Sequence, residues 1–249
     1  MILERFITKI TLKDFFSKKQ DFFLKKRNGI IIVKNAINKD KVRKIVSKIL
    51  KTKKNYVKKP LIVEGVKNIC WTSNFKKIKK DQYSTKDKTW YFFPWNRDYT
   101  GIVKETKLLF KRIVEINGYD YNVIEKNTPK DKIIKRIQLI FYPYGTGLIS
   151  THRDPINVLK INSGIYVTEY KTDYNDGGFY LYKNKKKYFL DHHVKSGDLV
   201  LFHPNITHGV DPVSKLSLNS RNIFKGRCFL NMAIVQSHEV KNRVYTEGV

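Results

Sequence analysis

The chain has 249 residues, 41% of them hydrophobic, enough to fill one sizeable core. Fifty Lys and Arg against 22 Asp and Glu give a formal net charge of +28, but the basic residues are mostly lysines spread along the whole length, a distribution that positions no particular phosphate contacts. Two cysteines, Cys70 and Cys228, exclude a disulfide framework and a Cys-x-x-Cys zinc or redox motif, and no apolar run approaches the roughly 20 residues of a membrane span, so a reduced cytoplasmic setting is expected.

In chain order, Leu12, Phe15, Phe16, Phe22, Phe23 and Leu24 recur at near-helical spacing, and Gly29-Ile-Ile-Ile-Val33 follows as a short buried strand. Asn38 or Lys39 opens a helix to Leu50 with Val42, Ile45, Val46 and Ile49 on one face. Residues 51–100 are rich in Lys and aromatics, with Trp71 and the cluster Trp90-Tyr-Phe-Phe-Pro-Trp95, and suggest a strand plus a covering loop. Core packing is the first reading of Trp90 and Trp95, and lining or closing a pocket is the second. A helix is expected from Thr100 to Ile116.

From Lys132 the pattern changes to short strands near 135–144, 158–169, 177–182, 186–190, 198–202, 207–210 and 227–236, separated by Gly, Pro, Asn and Asp turns. The simplest organisation is α+β in a single domain over 1–249. A helical and aromatic part (1–131) packs on a β core (132–236), followed by a tail (237–249).

All six histidines fall in this C-terminal part. His152-Arg-Asp154 places an imidazole and a carboxylate two residues apart, on the same side of an extended backbone. His208, after the strand Asp198-Leu-Val-Leu-Phe202, supplies a third ligand, and two imidazoles with one carboxylate leave positions open on iron(II). In the last strand, alternation puts Arg227, Phe229 and Asn231 on one face, where a guanidinium fits a carboxylate in bidentate fashion. Gln138 and Asn231 are candidate pocket residues. Asp191-His-His193 reads as a polar turn, and His203 as a surface or supporting residue.

This order of motifs resembles the Fe(II)/2-oxoglutarate-dependent oxygenases, prolyl-hydroxylase-like and phytanoyl-hydroxylase-like members above all, over roughly residues 135–236. The resemblance implies a double-stranded β-helix (jelly-roll) core with N-terminal helices packed on it. It implies Fe(II) held by His152, Asp154 and His208, and 2-oxoglutarate held by Arg227 and by Tyr142 of Tyr142-Pro-Tyr-Gly145, with O2 as the oxidant. Arg227 lies 19 residues beyond His208, a longer gap than usual, which leaves Arg221 as an alternative anchor; Ile149 stands where prolyl hydroxylases often carry a second tyrosine. With Asp154 present, hydroxylation or desaturation is expected over halogenation. A small metabolite such as an amino acid is the first substrate reading. The same chemistry on nucleic acid or protein, and a metal- or sugar-binding jelly roll without catalysis, are the alternatives.

Overall fold

A computed structural model describes residues 3–25, 29–51, 70–77, 84–216, 224–244 and 246–248. The N-terminal part contributes β1 (Ile7–Ile10), α1 (Leu12–Ser17), α2 (Gln20–Leu24), β2 (Ile30–Val33) and α3 (Lys39–Leu50). Next come β3 (Cys70–Lys77), β4 (Ser84–Phe92), α4 (Ile102–Ile116) and α5 (Tyr121–Ile124). The β core follows with β5 (Ile133–Pro143), β6 (Leu148–Arg153), β7 (Asn162–Tyr166), β8 (Gly178–Lys183) and β9 (Lys186–Phe189). Then come β10 (Leu199–Phe202), β11 (His208–Asp211), β12 (Gly226–Gln236) and β13 (Glu247–Gly248).

Local chemistry explains where the helices begin. Thr11 and Asp14 form a reciprocal capping box at α1, and the Asn38 side chain accepts from the Lys41 amide to start α3. Asp98 accepts from the Gly101 and Lys104 amides, each at 2.9 Å, ahead of α4. Gly101 itself stands at φ +80°, a left-handed conformation that glycine adopts without a Cβ penalty.

The strands run in the order β1-β2-β10-β7-β12-β5-β4-β6-β11-β8-β9, with β3 on β4 and β13 on β6. β4 pairs with β5 along Lys88 to Phe92 but with β6 only at Thr85 and Lys86, and there the curled sheet passes from one layer to the other. The helices cover the outer face of the larger layer. Phe15, Phe23, Val46, Phe110 and Ile113 pack there against Ile31, Leu139, Ile165, Leu201, Leu230 and Met232. Each such side chain, fully buried, contributes roughly 1.5–3 kcal/mol. The opposite, inner face carries Ile30, Ile32, Tyr142, Tyr166, Val200 and Phe202, which meet Phe179, Leu181 and Val210 of the smaller layer. This is a jelly roll with helices packed on one side, as the sequence implied.

Several elements depart from expectation. β6 carries His152 as a strand of its own, β7 is shorter than the expected 158–169, and the Lys-rich aromatic stretch makes a two-stranded hairpin, β3–β4. β1 adds a parallel edge strand to β2, and β13, in the expected tail, returns to the core. Leu108, an apolar residue of α4, is 72% exposed. Among the described residues no helix is long and apolar enough to cross a membrane.

Candidate active site

β6 and β11 are antiparallel neighbours with His152 directly opposite His208, so two imidazoles come from adjacent strands into the space between the layers. Their ring centroids are 4.2 Å apart, and both residues are buried. Each Nδ1 lies 2.7 Å from a backbone carbonyl two residues upstream, Ser150 for His152 and Ile206 for His208. A carbonyl accepts only, so each Nδ1 carries a proton and, when the ring is neutral, each Nε2 presents a lone pair. Those two Nε2 atoms face Asp154, at 3.9 Å from Oδ1 for His152 and 3.4 Å from Oδ2 for His208.

Burial first, and the neighbouring His208 second, push the His152 imidazole down to about 4, so it is neutral near pH 7. Burial works to raise the Asp154 carboxyl, but His208, His152 and Asn162 outweigh it and hold the group below the usual carboxylate range. One ligand atom from each residue can be chosen so that all lie within 4.8 Å of one another. With both rings neutral, two lone pairs and an anion converge, an arrangement that a cation at their centre stabilises. The donor set, two imidazoles and one carboxylate, therefore fits a divalent metal such as iron(II).

The carboxylate is held from both sides. Asn162 of β7 donates to Asp154 Oδ2 at 2.5 Å, and Thr246 donates to Oδ1 at 3.1 Å. Thr246 is delivered by β13, which pairs Gly248 with His152 and Glu247 with Arg153, the part of β6 that β4 leaves uncovered. Sequence reasoning missed both residues, since neither spacing nor composition links positions 162 and 246 to 154.

Alternation along β12 turns Arg227, Phe229 and Asn231 inward and Cys228, Leu230 and Met232 toward the helices, as read from the sequence. The Arg227 guanidinium is fully buried, with the rings of Tyr142, Tyr166 and Phe229 at 5.8, 5.0 and 5.4 Å. It is already engaged. Its Nε and Nη2 donate to Asp191 Oδ2 and Oδ1 at 2.7 and 3.2 Å, and the Tyr166 and Tyr174 hydroxyls donate to the same carboxylate at 2.7 and 2.5 Å. Burial, then the Asp191 charge, raises both phenols, which stay protonated as donors. Asp191, read from sequence as part of a polar turn, is thus an interior residue. The 3-10 turn Asp191–His193 directs the aspartate inward, while His192 packs on Tyr170 and Phe189.

Gln138 faces inward opposite Asn231 and donates to the Tyr91 hydroxyl at 3.4 Å. Trp90 does not line this space. Consecutive residues of β4 point to opposite faces, and Trp90 joins the helix-side core with Phe92. Trp95 stacks on Phe93, 4.7 Å between centroids, in a small cluster with Tyr91, Ile134 and Val235. His203 accepts from the Asn205 amide in the loop before β11. Arg221 lies outside the described residues.

The fold and the donor set together define a double-stranded β-helix with a two-histidine, one-carboxylate centre. No protein-family model matches the sequence, and no curated protein matches it significantly. In structure the chain is similar to a prolyl-4-hydroxylase from Pseudomonas putida: TM-score 0.51 and 12% identity over 88% of this chain and 98% of that one. It is also similar to a prolyl hydroxylase from Trichoplax adhaerens, solved with a hypoxia inducible factor oxygen degradation domain peptide fragment. There the TM-score is 0.53 and the identity 14%, over 89% of this chain and 94% of that one. At such identities the likeness is one of fold alone.

Proposed function

We propose that this protein is an Fe(II)- and 2-oxoglutarate-dependent dioxygenase that hydroxylates or desaturates a small-molecule metabolite. The observation that carries the reading is the convergence of His152 Nε2, His208 Nε2 and the Asp154 carboxylate, all acceptors, inside a jelly roll. These three residues would hold the metal, which when bound supplies the oxidative chemistry through O2 and 2-oxoglutarate. The chain's own contribution is geometric. The carbonyls of Ser150 and Ile206 fix both imidazole tautomers, and Asn162 and Thr246 fix the carboxylate.

Arg227 is the candidate partner for the far carboxylate of 2-oxoglutarate. Asp191 takes its Nε–Nη2 side, so the co-substrate would use the end of the guanidinium that remains, with Tyr142 paired directly across the strands. Tyr166, closer to the guanidinium than Tyr142, joins this group. Buried aromatic walls around Arg227 exclude water from the pair. A reduced, cytoplasmic setting fits the buried free thiol of Cys228, which burial raises far above its ordinary range and renders inert.

The test is consumption of 2-oxoglutarate with release of succinate by the iron-loaded protein under air. Slow turnover without a prime substrate, abolished by Asp154→Ala, is expected. A folded, iron-binding protein that never produces succinate would refute the oxygenase reading.

A further inference from the structure

Several buried or half-buried cations among the described residues have carboxylate partners. Arg43 pairs with Asp173, Lys135 with Glu125 and Arg227 with Asp191. Arg136 has no ion pair among the described residues. Its buried Nε has no hydrogen-bond acceptor, and its guanidinium lies 5.6 Å from the Tyr91 ring. Leaving a buried charged donor unsatisfied is costly, and such groups in native proteins call for a ligand or a function.

Strand register places Arg136 beside the metal centre. β12 pairs with β5 so that Ala233 is opposite Arg136 and Asn231 opposite Gln138, and with β7 so that Asn231 is opposite Gly164. Two residues from Gly164, on the same face, is Asn162, which holds the Asp154 carboxylate. Arg136 is therefore two strands from Asn162, about 10 Å across the sheet, on the face that looks at the triad. Along that face Arg136, Gln138 and Asn231 are only half-buried, whereas Ile137, Leu139, Leu230 and Met232 behind them are buried. The inner face is open here.

A second unsatisfied atom lies in the same opening. Asn231 Oδ1 is buried and accepts no hydrogen bond, and it sits diagonally from Arg136 across the β5–β12 pair, about 7–8 Å between backbones. A lone cationic donor and a lone neutral acceptor at that spacing are complementary to a carboxylate with an N–H close by. Beyond them the stacked rings of Tyr91, Phe93 and Trp95 offer an apolar wall.

We infer that this opening is the substrate subsite, and that the substrate is amino-acid-like, giving a carboxylate to Arg136 and an N–H to Asn231. This inference rests on the oxygenase reading of the triad and names its substrate class. It is tested on the metal-free full-length protein by calorimetric titration with N-acetyl-L-phenylalanine, its uncharged amide and 3-phenylpropionate, which lacks the N–H.

The acid is expected to bind about tenfold or more tighter than the amide, and about fivefold tighter than 3-phenylpropionate. Arg136→Met should erase the first difference while leaving Tm unchanged or higher, because it removes an unpaired charge. Asn231→Ala should erase the second difference alone. Equal binding of acid and amide, no binding of any probe, or a Tm lowered by several degrees in Arg136→Met would overturn the inference. Because no metal is present, such a failure leaves the metal assignment untouched, and a failure to bind iron would sink that assignment without altering these titrations.

Discussion

Arg227→Met is the most informative single change in the buried network behind the metal centre. Both charged side chains are out of water, at 1% and 0% exposure, and the carboxylate of Asp191 gathers four donors, two from Arg227 and one each from Tyr166 and Tyr174. Methionine matches the aliphatic stem but leaves Asp191 buried with only neutral donors. Breaking a buried pair by removing one partner costs about 3–5 kcal/mol, because the other charge is left uncompensated. For a chain of this size each kcal/mol lowers Tm by roughly 2–4 °C, so a fall of roughly 6–20 °C is expected by circular dichroism. Asp191→Leu combined with Arg227→Met removes both charges and should recover most of the loss, since the coupling term cancels. A single variant within about 2 °C of the parent, or a double variant that loses the sum of the two singles, would refute the reasoning.

Folded His152, depressed to about 4 against an unfolded value near 6.5, takes up its proton later than the unfolded chain does. Metal-free stability should therefore be fully present above pH 6.5 and fall as pH drops toward 4, by about 3 kcal/mol at most, and His152→Gln should flatten that slope in urea titrations at pH 7 and 4.5. Gly164→Ala would place a Cβ 2.1 Å from the Phe229 ring, so a loss of about 1–3 kcal/mol is expected, with Phe229→Leu relieving it. Thr246→Val frees one oxygen of Asp154 and should weaken Co(II) binding about tenfold, with little change in metal-free Tm.

What the sequence disclosed and what it hid divide along the range of the interactions. Strands β5, β8 to β12 and helices α3 and α4 follow local periodicity and turn residues, and they were legible. The three side chains that converge, His152, Asp154 and His208, were legible as a group because His152 and Asp154 are two residues apart and His208 follows a strong strand. β6 was not, since Leu148-Ile-Ser-Thr-His-Arg153 shows no clear alternation and borders the cleft, its residues mostly half-buried. Asp191 looked like a turn residue because its partner is 36 positions away, and the acid–base match appears only when β12 lies across from that turn. Thr246 and Asn162 were hidden for the same reason. Trp90 and Trp95 sit five residues apart in one aromatic cluster, and both pack in apolar clusters as first read, but the pleat of β4 sends Trp90 to the helix-side core, so the second reading, a shared pocket wall, does not hold for it.

The most direct test of the central claim is an anaerobic titration of metal-free protein with Fe(II) and then 2-oxoglutarate, followed in the visible spectrum. A charge-transfer band that requires both additions and disappears in His208→Ala is the expected result. A well-folded protein that binds Fe(II) but shows no such band at any 2-oxoglutarate concentration would contradict the account.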